Sequence, residues 1–551
     1  MSDAVVIGAG PNGLVAANLL AQRGWRTVVL EEQDRPGGAV KSAEATVPGY
    51  THDLFSAFYP LAAASPVIRR LELERWGLRW RRAPAVVAHP TRDGRCASLF
   101  QDLDRTAGSL DEFARGDGDA WRRLFGLWEQ VGEAFIEALT TPFPPLRPGA
   151  KMATALGPRG LLGFARIGAL PARRLGQETF RGEGGINLLA GNALHADLTP
   201  DSAAGGLFGW VLCSLGQTVG YPVPEGGAGE LTAALVRRLE SHGGAVVCNS
   251  PVRRVIVRRG RAVGVRTADG LEHSARRAVL ADTGAPQLYL DLLEAGDVPS
   301  SIREALRHFH YDNATVKVDW ALAGRIPWAA EGARLAGTLH IAEGLDALTR
   351  TTTQLEARLI PDQPFLVMGQ YAAADPTRQP EGGETAWAYT HVPHQPRGDA
   401  GEEGLTGAWD ERETEAFVAR LEQQVEQLAP GFRDLIVGRH VFTPPTLERA
   451  NANLVNGAVN GGTAQIHQQL VFRPTPGLGR SETPIRNLYL ASASAHPGGG
   501  VHGGPGSNAA RAAIARQRVR AFALAGTGAT AGAVAGWGAL RRSTRLPTTG
   551  R

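Results

Sequence analysis

Three glycines near the start of the sequence have a spacing that suits the binding of a dinucleotide. Gly8, Gly10 and Gly13 form the pattern GxGxxG, and the acidic residue Glu31 lies 23 positions beyond the first of them. In such a site the first glycine makes a tight turn, the second admits a diphosphate to the backbone, and the third permits close helix packing. A carboxylate at position 31 accepts the ribose hydroxyls and repels a 2′-phosphate. The spacing therefore predicts a dinucleotide site.

The residues around this motif predict the elements that position it. Residues 4–7 are apolar without polar alternation, as a strand buried on both faces requires. Pro11 suits the first turn of a following helix, with Asn12 beside it, and Gly24 is a helix stop. Residues 27–30 predict a second strand, which ends at Glu31. A mere tight turn does not explain this ordered strand, helix, strand and acid.

A second pair of glycines indicates which dinucleotide binds. Gly37 and Gly38 follow Glu31 at the spacing E-x5-GG, and Ser42 supplies a small hydroxyl shortly afterwards. An NAD-linked dehydrogenase does not require a glycine pair at this position. The pattern resembles flavoproteins of the amine-oxidase and carotenoid-desaturase type, in which it turns the chain under an extended FAD. The segment GYTHD, which contains His52 and Asp53, resembles the next element of these proteins, which runs towards the flavin.

The C-terminal segment RNLYLASASAHPGGGVHGGPGSNAAR, residues 486–511, is the other informative stretch. It predicts a buried strand over 487–491, a glycine-rich loop that includes Gly500 and Val501, and a helix to about residue 524. Ser507 or Asn508 is the expected cap of that helix. The positive end of the helix would face the loop and stabilise negative charge on a reduced flavin. A flexible glycine linker fits poorly between a strand and a strong helix.

The order of these motifs, from E-x5-GG to LYLAS…HPGGG, resembles the phytoene-desaturase-like FAD-dependent oxidoreductases. Residues 443–477 resemble one branch, which includes an animal mitochondrial relative that carries a pyridine nucleotide-disulfide oxidoreductase name. The resemblance extends to about residue 524 and implies FAD as the cofactor. It also implies that the backbone at Val252 meets the adenine. Many relatives have Gly-Asp after the last strand, where this chain has Ser492, Ala493 and Ser494, so a serine hydroxyl or a backbone N–H is expected at the ribityl chain.

The predicted fold is α/β: a Rossmann-type FAD-binding domain of discontinuous segments, with an inserted α+β substrate domain that contains an antiparallel sheet. The expected FAD-binding segments are 1–62, 215–290 and 478–524. The expected substrate-domain segments are 63–214 and 291–477, and residues 525–551 are expected to be a mobile Gly/Ala/Arg tail. Neither insertion carries a second GxGxxG followed by an acid, which disfavours the disulfide-reductase architecture with separate FAD and NAD domains.

Composition sets outer limits on the class of protein. Hydrophobic residues make up 43% and charged residues 20% of 551, which excludes a disordered, collagen-like or membrane-spanning chain. Glycine is in excess, with 69 residues, where an average share of about 7% would give about 39. Fourteen of the glycines lie in four predicted cofactor segments, so part of the excess follows from close approach to a dinucleotide.

Charge and patterning also bear on partners. The basic residues are almost all arginine, with no lysine-rich tract interleaved with aromatics, so no nucleic acid partner is expected. Residues 65–76 predict a helix with Ser65 as its cap and Gly77 as its stop, within a basic amphipathic segment over 65–82. A solvated helix flank is the favoured interpretation, and contact with an anionic membrane is the alternative. The predicted location is cytoplasmic, with a peripheral membrane contact left open.

Cysteines and histidines indicate neither a redox dithiol nor a metal site. Cys96, Cys213 and Cys248 lie far apart, without a CxxC pair. The histidine pairs at 308/310 and 391/394 have no further ligands at metal-binding spacing, so no metal is predicted.

The leading functional hypothesis is an FAD-dependent desaturase or dehydrogenase that removes hydride from a small lipophilic, carotenoid-like substrate to flavin N5. The catalytic base is unknown, and the candidate residues near the flavin are His496, His502, His52 and Asp53. One alternative is a flavin oxidoreductase of another substrate class, an amine oxidase or a polyene saturase. Another is a flavoprotein with a mainly regulatory or protein-binding role. The sequence leaves the substrate, the reaction direction, the electron acceptor and the oligomeric state open.

Overall fold

A computed structural model of the protein describes residues 1–518. The strands, in chain order, are β1 (Ser2–Ile7), β2 (Thr27–Leu30), β3 (Ser42–Ala43), β4 (His52–Asp53), β5 (Trp80–Arg81), β6 (Ala85–Pro90), β7 (Cys96–Leu99), β8 (Val223–Pro224), β9 (Ala245–Val247), β10 (Val252–Val257), β11 (Ala262–Thr267), β12 (Glu272–Ala281), β13 (Ala314–Leu322), β14 (Ala336–Ile341), β15 (Leu359–Ile360), β16 (Leu366–Gln370), β17 (Glu384–Val392), β18 (Gly398–Asp399), β19 (Ile436–Phe442) and β20 (Leu488–Leu490).

The helices, in the same order, are α1 (Pro11–Ala21), α2 (Pro60–Ala64), α3 (Pro66–Arg69), α4 (Leu103–Asp111), α5 (Asp117–Leu139), α6 (Leu146–Ile167), α7 (Ala172–Thr179), α8 (Glu183–Leu194), α9 (Gly205–Val219), α10 (Gly229–Ser241), α11 (Ser300–Arg307), α12 (Glu331–Arg334), α13 (Leu345–Glu356), α14 (Glu411–Leu428), α15 (Pro444–Ala450) and α16, which occupies 504–518. The predicted tail, 525–551, lies outside the described residues. None of the helices within 1–518 has the length and apolarity needed to cross a membrane.

The first large sheet contains the predicted dinucleotide motif. Five parallel strands lie in the order β20-β12-β1-β2-β9, and β11 and β10 extend the sheet with antiparallel pairing. The central strand β1 is buried over Ala4–Ile7, as its unbroken apolar run predicts. Helices α1, α10 and α16 pack on one face around a core that includes Leu14, Leu235 and Ala510. The sheet is thus assembled from strands near the start, middle and end of the described chain.

The second large sheet has the strand order β19-β13-β17-β16-β14-β6-β7. All of its pairs are antiparallel except β14 with β6, which is parallel. The Rossmann-type sheet and this second, largely antiparallel sheet confirm the predicted α/β fold class.

Both faces of the second sheet are buried except at the edge strand β19, and they differ in chemistry. One face is aliphatic: Val316, Val318 and Met368 belong to a core that includes Phe417 and Leu421 of α14. The other, which we call the polar face, carries Thr315, Lys317 and Asp319 of β13, Trp387, Tyr389 and His391 of β17, Thr338 and His340 of β14, and His89 of β6. All of these are buried except Tyr389, which is partly exposed. Since a polar face adds little hydrophobic stabilisation, we expect it to serve binding or chemistry.

The predicted helix over 65–76 is wrong as a single element. Ser65 caps α3, accepting from the N–H groups of Val67 and Ile68. The chain then breaks at Glu72, which has a φ of 49°, and resumes as a short 3₁₀ turn that Gly77 ends. The break follows from tertiary bonding, because the carbonyl of Leu71 accepts from Arg238 rather than from the next helical turn.

Candidate functional site

The glycines of the dinucleotide motif form a tightly packed backbone cradle. Gly8 has a φ of +88°, which favours glycine, and a Cβ on Gly13 would lie 2.2 Å from the carbonyl oxygen of Gly8. The second glycine pair joins the same cradle, since a Cβ on Gly38 would lie 2.9 Å from Cα of Gly10. The N–H of Gly37 donates to the carbonyl of Ala9 at 2.9 Å. The structure therefore brings GxGxxG and E-x5-GG together, with no room there for side chains.

Glu31 lies beside this cradle with both carboxylate oxygens directed at backbone. Oε2 accepts the N–H of Ala9 at 2.7 Å, and Oε1 accepts the N–H of Gln33 at 3.0 Å. The backbone carbonyl of Glu31 accepts the N–H of Ser250, which places the start of β10, at Val252, next to it. The acid and the residue predicted to meet the adenine are thus neighbours.

Two helix N-termini meet at the cradle, those of α1 and α16. Gly506 lies so close to α1 that a Cβ there would be 2.0 Å from the carbonyl oxygen of Asn12. Three buried polar atoms at this junction have no hydrogen-bond partner among the described residues: Asn12 Oδ1, Ser507 Oγ and Asn508 Oδ1. The two positive helix ends and the Ser507 hydroxyl suit the anionic diphosphate of a dinucleotide, and the two amide oxygens can accept from its hydroxyl groups.

The predicted cap of α16 is wrong in position. The helix begins at residue 504, and the N–H of Ser507 donates to the carbonyl of Gly503. Ser507 and Asn508 are therefore the fourth and fifth residues of the helix, and a side-chain oxygen of each is buried without a partner among the described residues. Pro505 falls in the first turn, where its missing N–H costs nothing.

Ser42 and Asp53 lie together, but at the start of α10 and not at the glycine cradle. Asp53 Oδ1 accepts the N–H of Ala228 at 2.7 Å and the hydroxyl of Ser42 at 2.8 Å. The N–H of Gly229 donates to Ser42 Oγ at 3.0 Å. These two residues cap α10, and Asp53 is 0% exposed. Its carboxylate is fully engaged, which argues against its predicted service as a catalytic base.

The C-terminal glycine-rich loop places its two histidines in different surroundings. His502 uses both ring nitrogens within the loop, since Nδ1 accepts from Gly504 and Nε2 donates to Gly499. His496 Nε2 contacts the carbonyl of Thr141 at 3.2 Å, and its buried Nδ1 has no partner within 1–518. Burial lowers the pKa of both imidazoles to about 4. Of the two, only His496 keeps a ring nitrogen available for a proton.

The other predicted residues of this loop have local contacts. Ser492 Oγ accepts the N–H of Ser494 at 3.2 Å, so its hydroxyl supports the turn. Gly500 has a φ of +97° and faces the side chains of Leu61 and His502. Val501 is partly buried and packs against the core between α1 and α16.

One buried arginine, which the sequence analysis missed, ties this loop to the preceding segment. Arg473 is 0% exposed and donates to the carbonyl oxygens of Asn460, Gly461, Gly462, Thr463 and Ala493. A Cβ on Gly498 would lie 3.2 Å from its guanidinium carbon. Burial lowers its pKa to about 10. Five carbonyl partners from distant sequence cannot be inferred from an isolated arginine.

His52, the remaining catalytic candidate, contacts the polar face of the second sheet. Its Nε2 is 2.8 Å from Thr46 Oγ1, and its Nδ1 is 3.7 Å from Asp319 Oδ1. Asp319 also accepts from the ammonium of Lys317. Burial lowers the pKa of His52 to about 4 despite the nearby carboxylate. The group is a buried ion pair flanked by a neutral imidazole.

Further along the polar face, three imidazoles follow one another. His195 Nε2 and His340 Nε2 are 2.8 Å apart, and the rings of His340 and His89 are 6.1 Å apart between centroids. Burial lowers the pKa of His89 and His195 to about 4, and that of His340 further. These side chains are neutral at pH 7.

Aromatic rings cover the neighbouring part of the polar face. Trp387 stacks on Tyr389 with centroids 6.1 Å apart, and Phe58 stacks on Tyr371 at 5.8 Å. Together with the three neutral imidazoles, these rings make this part of the polar face polarisable.

Comparisons with known proteins agree with this geometry. A family model described as an NAD(P)-binding Rossmann-like domain matches residues 6–71. The chain is 27% identical to pyridine nucleotide-disulfide oxidoreductase domain-containing protein 2 of Mus musculus, with 92% of each chain covered. It is 26% identical to a lycopene-forming phytoene desaturase of a Paracoccus species, with 93% of this chain and 96% of the relative covered. A neurosporene-forming phytoene desaturase of Cereibacter sphaeroides is 25% identical, with coverage of 94% and 95%.

Solved structures show the same fold. An oxidoreductase from Methanosarcina mazei has a TM-score of 0.60 at 14% identity and covers 93% of this chain and 99% of its own. Cyclohexylamine oxidase from Brevibacterium oxydans has a TM-score of 0.57 at 16% identity, with coverage of 94% and 99%. The predicted resemblance and the predicted fold class are both confirmed.

Proposed function

We propose that this homologue of the phytoene desaturases is an FAD-dependent oxidoreductase that removes hydride from a neutral, unsaturated, lipophilic substrate. The observation that carries the proposal is the glycine cradle beside Glu31, closed by a second helix N-terminus. FAD, when bound, supplies the hydride acceptor. The residues that would hold it are the three glycines of GxGxxG, the pair Gly37 and Gly38, Glu31, Asn12 and the N-terminal end of α16.

The polar face supports a neutral substrate. The ammonium group that it carries, on Lys317, is paired with Asp319, and burial keeps the imidazoles of His89 and His340 neutral by lowering their pKa. Because the two groups pair with each other, neither the ammonium group of Lys317 nor the carboxylate of Asp319 is free to bind a charged group of a substrate. The rings of Trp387 and Tyr389 offer π-surfaces to a conjugated chain.

The loss of hydride leaves a proton on the substrate, and the chain needs a group that can accept it. His496 Nδ1 is buried and without a partner in the described part of the chain, and its imidazole is neutral at pH 7. A delocalised allylic cation is acidic, so a base with a pKa of about 4 is sufficient. We assign the proton to His496 in preference to His502, whose ring nitrogens are both occupied.

Anaerobic bleaching of the bound flavin tests the substrate class. The purified full-length protein is mixed with phytoene in liposomes, with limonene, and with cyclohexylamine, and the flavin absorbance is followed. We expect phytoene or limonene to bleach the flavin and the amine to leave it oxidised. Bleaching by the amine alone would overturn the proposed substrate class, and bound flavin that none of them bleaches would favour a regulatory role.

Oxidation of an amine is the second candidate, and one observation favours it. Four aromatic rings form a chain of contacts at the polar face, in the order Tyr371, Phe58, Trp387 and Tyr389. Such a cluster of aromatic rings suits a small amine. The bleaching experiment separates the two candidates directly.

A glycine substitution tests the cofactor site independently of any substrate. In Gly10→Ala the new Cβ would lie 2.6 Å from Asp282 Oδ2, so the cradle has to open. We expect at least a tenfold loss in FAD affinity, measured by titration of the cofactor-free protein. Gly108→Ala in α4 is the matched control, because its Cβ would have nothing within 4 Å. Equal FAD affinity in the two variants would contradict the assigned site.

A further inference from the structure

An aspartate that the sequence analysis did not single out lies inside the glycine cradle. Asp282 directly follows β12 at the carboxyl edge of the first sheet, and its Oδ2 accepts the N–H of Gly13 at 2.8 Å. Asn453 fixes this position, since its Nδ2 donates to the carbonyl of Asp282 at 2.9 Å and its Oδ1 accepts the N–H of Gly284. Hydrogen bonds therefore hold the carboxyl group of Asp282 in a fixed position within the cradle.

Asp282 accepts a hydrogen bond from a backbone N–H group that an anionic ligand would also use. In the first turn of α1, Pro11 has no N–H and Leu14 already donates to the carbonyl of Gly10. The free donors of that turn are the N–H groups of Asn12 and Gly13, and Asp282 takes the second. A dinucleotide diphosphate binds at this same positive helix end. A carboxylate and a diphosphate at one helix N-terminus repel each other, and the repulsion is strong because the site is buried.

The surroundings of Asp282 do not neutralise its charge. The facing segments are the glycine loop, the start of α1, the turn at 283–287, Asn453 and the end of β20, and none of these described segments contributes a cation to the carboxyl group. The charged group that acts on it is Glu31, which has the same sign. Burial, with a contribution from Glu31, raises the pKa of Asp282 to about 7. This carboxyl group can therefore bind or release a proton near neutral pH.

We propose that Asp282 is a proton-coupled residue of the dinucleotide site, which takes up one proton from solvent when the cofactor's diphosphate binds. The inference rests on the proposed FAD site and deepens it. The protonated group keeps its bond from Gly13 through the carbonyl oxygen, and its O–H becomes a donor for a phosphate oxygen. The repulsion is removed and one hydrogen bond is added.

Linkage gives the expected sign. Binding raises the proton affinity of Asp282, so FAD binds best when this group is already protonated. Affinity is therefore highest below the pKa of the free protein's carboxyl group and falls as the pH rises above it. Each pH unit above that point weakens binding by about tenfold, with uptake approaching one proton per FAD.

Calorimetric titration measures this directly. The cofactor-free, full-length protein is titrated with FAD between pH 6 and pH 9, in pairs of buffers that differ in ionisation enthalpy. We expect proton uptake that rises with pH and is absent in Asp282→Asn, whose FAD affinity changes less than twofold over the same range. Asp410→Asn is the matched control, because Asp410 caps α14 and accepts from Glu413 far from the cradle.

The outcomes separate the inference from the proposed function. FAD binding without proton uptake, or with equal uptake in Asp282→Asn, would overturn the inference and leave the FAD site standing. No FAD binding at any pH would overturn the proposed function and the inference with it. If Asp282→Asn does not fold, infrared difference spectra of the unaltered protein decide: a protonated carboxyl band that appears on FAD binding supports the inference, and its absence overturns it.

Discussion

Four polar contacts surround the carboxylate of Asp53, and they join segments that lie far apart in the sequence. Besides Ser42 and the N–H of Ala228, it accepts from the hydroxyl of Tyr371 at 2.7 Å and from Arg378 at 2.8 Å. Arg378 is itself 0% exposed and is paired with a second carboxylate, that of Asp375, at 3.0 Å. This buried network connects the segment after β3 with α10 and the second sheet.

Removal of the arginine tests how much this network stabilises the protein. Arg378→Met leaves two buried carboxylates without their cation, which costs about 3–5 kcal/mol of unfolding free energy. We expect that loss in a denaturant titration. Arg166→Met is the matched control, because Arg166 is largely exposed in its pair with Glu178 and such pairs contribute less than about 1 kcal/mol. Equal losses of unfolding free energy in the two variants would show that the buried network stabilises the protein no more than an exposed ion pair does.

Sequence spacing predicted those residues of the site that act within a short stretch of chain. Gly8, Gly10, Gly13 and Glu31 belong to one strand-helix-strand unit, so their relation is encoded locally. The residues that were missed depend on distant partners: Asp282 reaches Gly13 across 269 positions, and Arg378 reaches Asp53 across 325. No local pattern identifies such partners, because they are set by how the sheets pack.

At the scale of elements, the site depends on the contact between α1 and α16. The two helices pack through small residues, among them Ala509, Ala510 and Ala513 of α16, in the core that also contains Leu14. Gly506 makes the approach of the two N-termini possible, since a Cβ there would meet the Asn12 carbonyl at 2.0 Å. A single methyl group is enough to separate them.

Gly506→Ala therefore disturbs the packing of α16 against α1. We expect a lower melting temperature and at least a tenfold weaker FAD affinity, because the two positive helix ends no longer converge. Loss of cofactor on gel filtration and a thermal melt measure the two effects. Gly126→Ala in α5 is the control, since a Cβ there would have nothing within 4 Å. Unchanged FAD retention in Gly506→Ala would contradict the role given to the helix pair.

Element boundaries were predicted well where hydrophobic runs are flanked by glycine, and less well where tertiary contacts decide. Strand β2 matches its predicted range, and α1 begins at Pro11 as expected. The start of α16 was missed because Gly504, Pro505 and Gly506 have low helix propensity. There the helix is imposed by packing against α1.

At the scale of the whole molecule, burial of ionisable groups makes stability depend on pH. The described chain holds seven histidines whose pKa is lowered by burial, and they are His52, His89, His195, His310, His340, His496 and His502. Three carboxyl groups, of Asp282, Asp312 and Glu384, have a pKa raised by burial. The two sets act in opposite directions as pH changes.

We expect the free energy of unfolding to fall as the pH is lowered from 6.5 to about 4. In that window the unfolded chain protonates its histidines, while the folded protein keeps them neutral, so unfolding takes up protons. Each such histidine contributes a slope of up to about 1.4 kcal/mol per pH unit. The three raised carboxyl groups offset part of it, because they bind protons more readily in the folded state. Urea unfolding midpoints across this range measure the net slope.

Single variants assign the slope to buried imidazoles. His89→Gln removes one group of lowered pKa, so unfolding should take up about one proton fewer and the unfolding free energy should depend less steeply on pH. His308→Gln is the control, because that side chain is 79% exposed. A profile that is flat in the unaltered protein, or equally steep in both variants, would contradict this account.

The assembly of the first sheet from distant segments sets the order of events in cofactor loading during biosynthesis. Asn12 and Gly506 touch, yet they are 494 positions apart in the chain. At translation rates of about 5–20 residues per second, the glycine loop is made roughly 25–100 s before the helix that completes it. If FAD binds at the proposed site, it can be captured only after α16 has been made. We therefore expect a chain that stops before residue 504 to hold no FAD.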